Sequence, residues 1–261
     1  MSSSDRLYHI GFGRSDLGPS PPTAALLCGD PDRAGRIARQ TAGVSCLATL
    51  SENRGLHSYL CGIDGMTFVA ATSGMGAPSL SIVVNELVTV GVRTIIRVGT
   101  SGGIAEQVRV GDLVISSAAL CRQGAALDIA PAEFPAAADP RVTIALMAAA
   151  SDLDVRAHVG VTASVDTFYE GQERGDSANP FLLRTLHGVT EEYRHLRILN
   201  YEMEAGTLFK MGLAYGFAAG CVCAVLAERL VTETVDVAVK EQAERAAVQV
   251  ALQALQRLTR A

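Results

Sequence analysis

The chain has 261 residues, 49% hydrophobic and 19% charged, enough for one large α/β domain or at most two small ones. Its 22 basic and 27 acidic residues give a net charge of -5, so no overall positive field draws it to nucleic acid or to an anionic membrane. A small anionic ligand would have to be held by individually placed arginines. The six cysteines (28, 46, 61, 121, 221, 223) form no Cys-x-x-Cys pair and have no histidine at zinc spacing, so a reduced, metal-free protein is expected. Met1–Arg6 has no apolar core and no run is long enough to cross a bilayer, which predicts a cytoplasmic location.

Short apolar runs alternate with helical periodicity from end to end. Ala24–Cys28 reads as a buried strand, after which Asp30 can cap a helix with Pro31 at its first position. Two strands are expected over 56–63 and 66–72, joined by Asp64-Gly65. Leu80, Val83, Val84 and Leu87 share one face of a helix from Ala77 to Val90. Arg93–Gly99 is the next strand and 112–118 another, while the Ala/Pro-rich Asp128–Pro140 reads as a loop. A helix over 139–152, a strand over 156–165 and a helix starting near Tyr201 follow. Gly220–Leu226 is a further strand, and 233–259 a closing amphipathic helix. This alternation implies an α/β fold, a single domain over 1–261 with a central mixed, largely parallel twisted sheet flanked by helices.

The most informative stretch is Asp166-Thr-Phe-Tyr-Glu-Gly-Gln-Glu-Arg174. Gln172 can present a donor and an acceptor side by side, matching the imide edge of a pyrimidine. Arg174 offers donors alone, suited to a carbonyl oxygen that gains charge as the base departs. Asn200-Tyr-Glu-Met-Glu204 adds carboxylates that could accept hydrogen bonds from a sugar diol, although acidic residues in a first helical turn are favourable anyway. Arg97 interrupts an apolar strand just before Gly99-Thr100-Ser101-Gly102-Gly103, where a buried guanidinium is costly unless it meets an anion. A structural ion pair above a tight turn would explain it too. Gly29-Asp-Pro-Asp-Arg33 repeats the pattern of strand, glycine and arginine, and Ser73-Gly-Met-Gly-Ala-Pro-Ser79 feeds a glycine turn into a helix N-terminus.

Together these segments resemble the nucleoside phosphorylase-I superfamily nearly end to end, and within it the uridine phosphorylases, whose Ala130-Pro-Ala-Glu-Phe-Pro135 loop is also matched. The resemblance implies phosphorolysis of uridine and 2′-deoxyuridine. Phosphate would be held by Gly29, Arg33, Arg97 and Thr100, with Arg54 arriving from a neighbouring subunit. His9, across a dimer interface, would bind ribose together with Thr100, Met203 and Glu204. Phe168, Gln172 and Arg174 would bind the base, and catalysis would fall to Arg97, Arg174, Gln172 and Glu204. Inorganic phosphate would be a co-substrate, no cofactor or metal would be needed, and the assembly would be a homohexamer, a trimer of dimers with shared sites.

Three positions depart from the pattern. Gly55 stands where relatives carry a glutamate for a monovalent cation, which argues against a potassium site. Glu228 replaces an asparagine before Arg229, and could pair with Arg229 or widen base choice. Gly175 replaces a bulky lid residue. Three other readings stay open: a purine nucleoside phosphorylase using Glu228 as acid, a phosphate-independent nucleosidase, and a non-catalytic nucleoside-binding protein.

Overall fold

The computed structural model describes residues 5–229 and 237–260. In chain order its elements are β1 (Ala24–Cys28), α1 (Pro31–Gln40), β2 (Ser45–Ser51), β3 (Ser58–Ile63), β4 (Met66–Thr72), α2 (Ala77–Thr89), β5 (Thr94–Gly103), β6 (Leu113–Arg122), α3 (Gly124–Ile129), α4 (Pro140–Asp152), β7 (Ala157–Val165), α5 (Val189–His195), β8 (Asn200–Glu202), α6 (Ala205–Tyr215), β9 (Ala218–Glu228) and α7 (Val237–Arg260). The strands form one sheet of order β2-β3-β4-β1-β5-β8-β7-β6-β9. An additional β5–β9 pairing closes the last five into a ring. Pairing is parallel along β4, β1, β5 and β9 and along β6, β7 and β8. It is antiparallel for β2–β3, β3–β4, β5–β8 and β6–β9, so the sheet is mixed as expected.

Local chemistry accounts for several boundaries. Asp30 caps α1 by accepting the Asp32 amide at 2.9 Å, with Pro31 at the first helical position, and Asp139 caps α4 through the Arg141 amide at 2.8 Å. Four expectations need correction. The glycines at 99–103 continue β5 rather than forming a turn, because β9 pairs with them throughout. Asn200–Glu202 is a strand between β5 and β7, and the helix expected near Tyr201 begins at Ala205. The first residues of the expected 128–140 loop belong to α3, and Ala137 bridges Ala118. Strand β2 and helix α5 were not foreseen; β2 is an exposed edge strand with little apolar alternation. Residues 233–236 of the expected closing helix lie outside the described residues.

Two apolar layers cover the faces of the sheet. Helices α1, α4 and α7 pack on one face with Ile96 and Val98 of β5, while α2 and α6 pack on the other with Ile95. Alternation along β5 therefore sends Arg97 to the α2/α6 side and Thr100 to the α1/α7 side. β1 ends beside this point, since Leu27 pairs with Arg97, so the chain leaves the sheet at Gly29 where β5 still runs on. Ligands of open α/β sheets gather at such carboxyl ends of strands. Among the described residues, no helix is long and apolar enough to cross a membrane.

Candidate active site

Arg97 is 5% exposed and is the hub of the site. Its Nη2 is ion-paired with Glu204, its Nη1 lies 3.7 Å from Glu202, and Cys223 Sγ accepts from Nη1 at 3.3 Å. The Nε is buried and has no hydrogen-bond partner among the described residues. Burial opposes the charge, but the carboxylates, Glu204 foremost, outweigh it and hold Arg97 well above the ordinary arginine pKa. Gly99 makes this pose possible, since a Cβ there would lie 1.7 Å from Arg97 Nη1. Gly99→Ala should therefore displace the guanidinium, a flexible tip, and leave the backbone in place. Because the displaced guanidinium is the shared cation of buried Glu202 and Glu204, the expected result is a lower melting temperature together with phosphate affinity weakened at least about tenfold, read by calorimetry.

The two glutamates have different tasks. Glu202 Oε2 accepts the amides of Glu204 and Ala205, both at 2.8 Å, and its Oε1 takes the Ser164 hydroxyl. It thus caps the start of α6, and Ser164 extends the cap to the Gly206 amide at 2.8 Å. Burial pushes the Glu202 pKa up; Arg97 opposes this and the charge of Glu204 reinforces it. Among the described residues Glu204 receives the Gly76 amide, at 2.6 Å, and Arg97, so it is the carboxylate with capacity left for a ligand. Gly76 has φ +86°, a conformation glycine adopts without strain. Gln123, which sequence reasoning missed, holds the Met203 carbonyl at 2.5 Å and the Thr207 amide at 2.8 Å. Neither Gln123 nor Ser164 stands in a motif that would have flagged it.

On the other face Arg33, 7% exposed, projects from the first turn of α1. Its Nη1 donates to the Val98 carbonyl at 3.2 Å, its Nη2 to Glu244 of α7 at 2.8 Å, and its Nε is again buried without a partner among the described residues. Arg33 and Thr100 line one cavity of about 770 Å³ between α1 and α7. Gly29 lies against the glycine turn after β4, because a Cβ there would sit 3.2 Å from the Gly74 carbonyl.

At the far side, the segment after β7 forms a short turn of 3-10 helix over Glu170–Gln172. Gln172 is 3% exposed; Arg174 reaches its Oε1 at 3.4 Å and stacks 3.8 Å over the half-exposed Phe168 ring. Arg229 Nη2 donates to the Gln172 carbonyl at 2.6 Å. Burial lowers the pKa of both arginines, and Arg174 adds like-charge repulsion at Arg229. Glu173 anchors the turn by accepting the Thr190 amide at 2.8 Å. Glu228 does not pair with Arg229: it lies 3.7 Å from Arg109 and accepts the Val110 amide at 3.2 Å. A purine-directed acid gains nothing from that arrangement. At Gly175 an added Cβ would meet open space.

Arg54 and His9 sit together on a separate surface. Asn53 ties them by donating to the carbonyls of Tyr8 and His9 at 2.9 and 3.0 Å, and the exposed Arg54 lies 5.7 Å from the Tyr8 ring. Glu86 accepts from or pairs with His9 Nδ1 at 2.7 Å. Arg54 and Gly55 both have positive φ, +55° and +76°, a backbone conformation that glycine at position 55 adopts without strain.

A mixed α/β sheet with buried, carboxylate-paired arginines at its strand ends defines a class. The phosphorylase superfamily matches residues 23–260, and the chain belongs to that family. Among its relatives, the uridine phosphorylase of Escherichia coli K12 is 39% identical over 258 residues, covering 99% of this chain and 100% of the relative. That of Haemophilus influenzae is 39% identical over 252 residues, with 97% and 98% covered. The uridine phosphorylase of Thermococcus kodakarensis is 37% identical over 226 residues, with 87% and 79% covered.

Proposed function

We propose that the protein cleaves uridine and 2′-deoxyuridine with inorganic phosphate, giving uracil and ribose or deoxyribose 1-phosphate. The observation that carries this reading is the pair of buried, unpartnered Nε donors on Arg33 and Arg97, on either side of the strand ends where Gly29 and Thr100 also lie. The reading seats one tetrahedral oxyanion across these strand ends, where it would meet both arginines. When phosphate takes Arg97, Glu204 is released to accept hydrogen bonds from the ribose hydroxyls beside Met203. Nothing in that contact demands a 2′-hydroxyl. As the glycosidic bond breaks, its electron pair goes to the pyrimidine and positive charge builds on the ribose ring. Phosphate dianion stabilises that charge and bonds to C1′, while Arg174 and Gln172 meet the charge on the base and Phe168 stacks against it. No further cofactor enters the scheme, and no potassium site is assigned at Gly55.

The same reading takes the active protein as a cytoplasmic homohexamer, a trimer of dimers. Its support is the surface bearing Arg54 and His9, where Tyr8 is 73% exposed. A groove of about 600 Å³ joins His9 to Ile82 and Tyr215 there. A facing subunit would carry Arg54 to the phosphate and His9 to the ribose 5′-hydroxyl.

The test is to incubate the protein with uridine, deoxyuridine, thymidine, inosine and adenosine, each with and without phosphate, and to quantify free base. Phosphate-dependent release of uracil is expected. Turnover of inosine but not uridine would overturn the substrate assignment, and release without phosphate would point to hydrolysis.

A further inference from the structure

The structure assigns Glu244 of α7 a task of its own: we infer that it is the positioning residue of Arg33, setting the affinity for phosphate without touching it. This rests on the phosphate site proposed above. Glu244 is 8% exposed and bridges two arginines of α1, with Oε1 at 2.8 Å from Arg33 Nη2 and Oε2 at 3.2 Å from Arg36 Nη2. Arg36 in turn reaches Asp30 at 3.3 Å, and Asp30 caps α1. One network thus joins the start of α1 to α7 and, through the Val98 carbonyl, to β5.

The geometry is that of a clamp. With Nη1 on Val98 and Nη2 on Glu244, the plane of the Arg33 guanidinium is fixed at both ends, and Nε is the buried nitrogen left without a partner among the described residues. The adjoining cavity of about 770 Å³ gives an unclamped guanidinium room to swing away. A planar, five-donor group binds an oxyanion well only while its fork is held in place. Because the clamp sits on α7, the seating of that helix and the affinity for phosphate are coupled.

The experiment compares the full-length parent, Glu244→Gln and Glu244→Ala by initial rates over phosphate and uridine. Phosphate binding is measured in parallel by calorimetry without nucleoside. Loss of the charge-assisted contact should raise the phosphate KM and Kd of Glu244→Ala about tenfold or more, with a smaller rise in Glu244→Gln, which keeps one acceptor and the side-chain volume. The uridine KM and kcat at saturating phosphate should stay within about twofold of the parent. An unchanged or lower phosphate KM would overturn the inference, a lower one meaning that Glu244 competes with phosphate. So would equal rises in both KM values, which would mark general loosening. Should Glu244→Ala fail to fold, Glu244→Gln decides by the same criteria. Parent protein that turns over uridine without phosphate would sink the phosphate site itself, a result distinct from any difference between variants.

Discussion

Replacing Arg97 with alanine should cut phosphate-dependent turnover by a factor of about 10²–10³, corresponding to about 2.7–4 kcal/mol of barrier. The site would lose both the proposed contact with phosphate and the cation that holds Glu204. The change also leaves Glu202 and Glu204 buried without their shared cation, so the melting temperature should fall as well. Arg97→Lys separates the two effects: it keeps the charge but loses the planar fork, so stability should recover further than turnover. Mixing supplies an internal control. If Arg54 serves the neighbouring site, a dimer of one Arg97→Ala and one Arg54→Ala subunit contains one intact site. Activity should then reappear on subunit exchange between two inactive preparations. Near-normal turnover by Arg97→Ala would remove it from the phosphate site.

The second large effect separates the neighbouring glutamates. Glu204→Gln should fold normally and lose about tenfold to a hundredfold in kcat/KM for uridine, the worth of a charge-assisted contact to the sugar. Glu202→Ala should instead fail by unfolding. It leaves the Glu204 and Ala205 amides and the Ser164 hydroxyl without their acceptor, at about 1–3 kcal/mol for each buried group. Glu202→Gln adds a pH signature. Glu202 has a folded pKa raised above the ordinary 4.5, so the native state binds its proton more tightly than the unfolded chain. Its contribution to stability is therefore fully present below about pH 4.5 and declines as pH rises through the folded value. Relative to the parent, Glu202→Gln should gain stability as pH rises through that window, measured by urea unfolding. A difference independent of pH would show that Glu202 is not perturbed.

Much of the fold could be read from the sequence because its signals are local. Asp30-Pro31 and Asp139-Pro140 start helices by capping, and Asp64-Gly65 turns a hairpin where it was expected. The misreadings came from non-local pairing. Gly99–Gly103 carries poor strand formers, yet β9 holds it extended, and Asn200–Glu202 becomes a strand only because β5 and β7 accept it between them. In the candidate site, Arg97 betrayed itself as a charge inside an apolar run. The division of labour between Glu202 and Glu204 did not, since it depends on where Ser164 and Gly76 arrive from distant segments. Glu244 was equally hidden, because nothing in an amphipathic helix marks which of its acidic residues meets Arg33.

The pairing of Arg97 with Glu204 has an energetic consequence for ligand entry. Both groups lose their water when the chain folds and face each other in the resting protein, so the cost of dehydrating them is met before any ligand arrives. Under the proposed reaction, an incoming anion and sugar would exchange partners with groups that are already dry, and the binding step would carry the cost of parting the pair but not that of stripping its water.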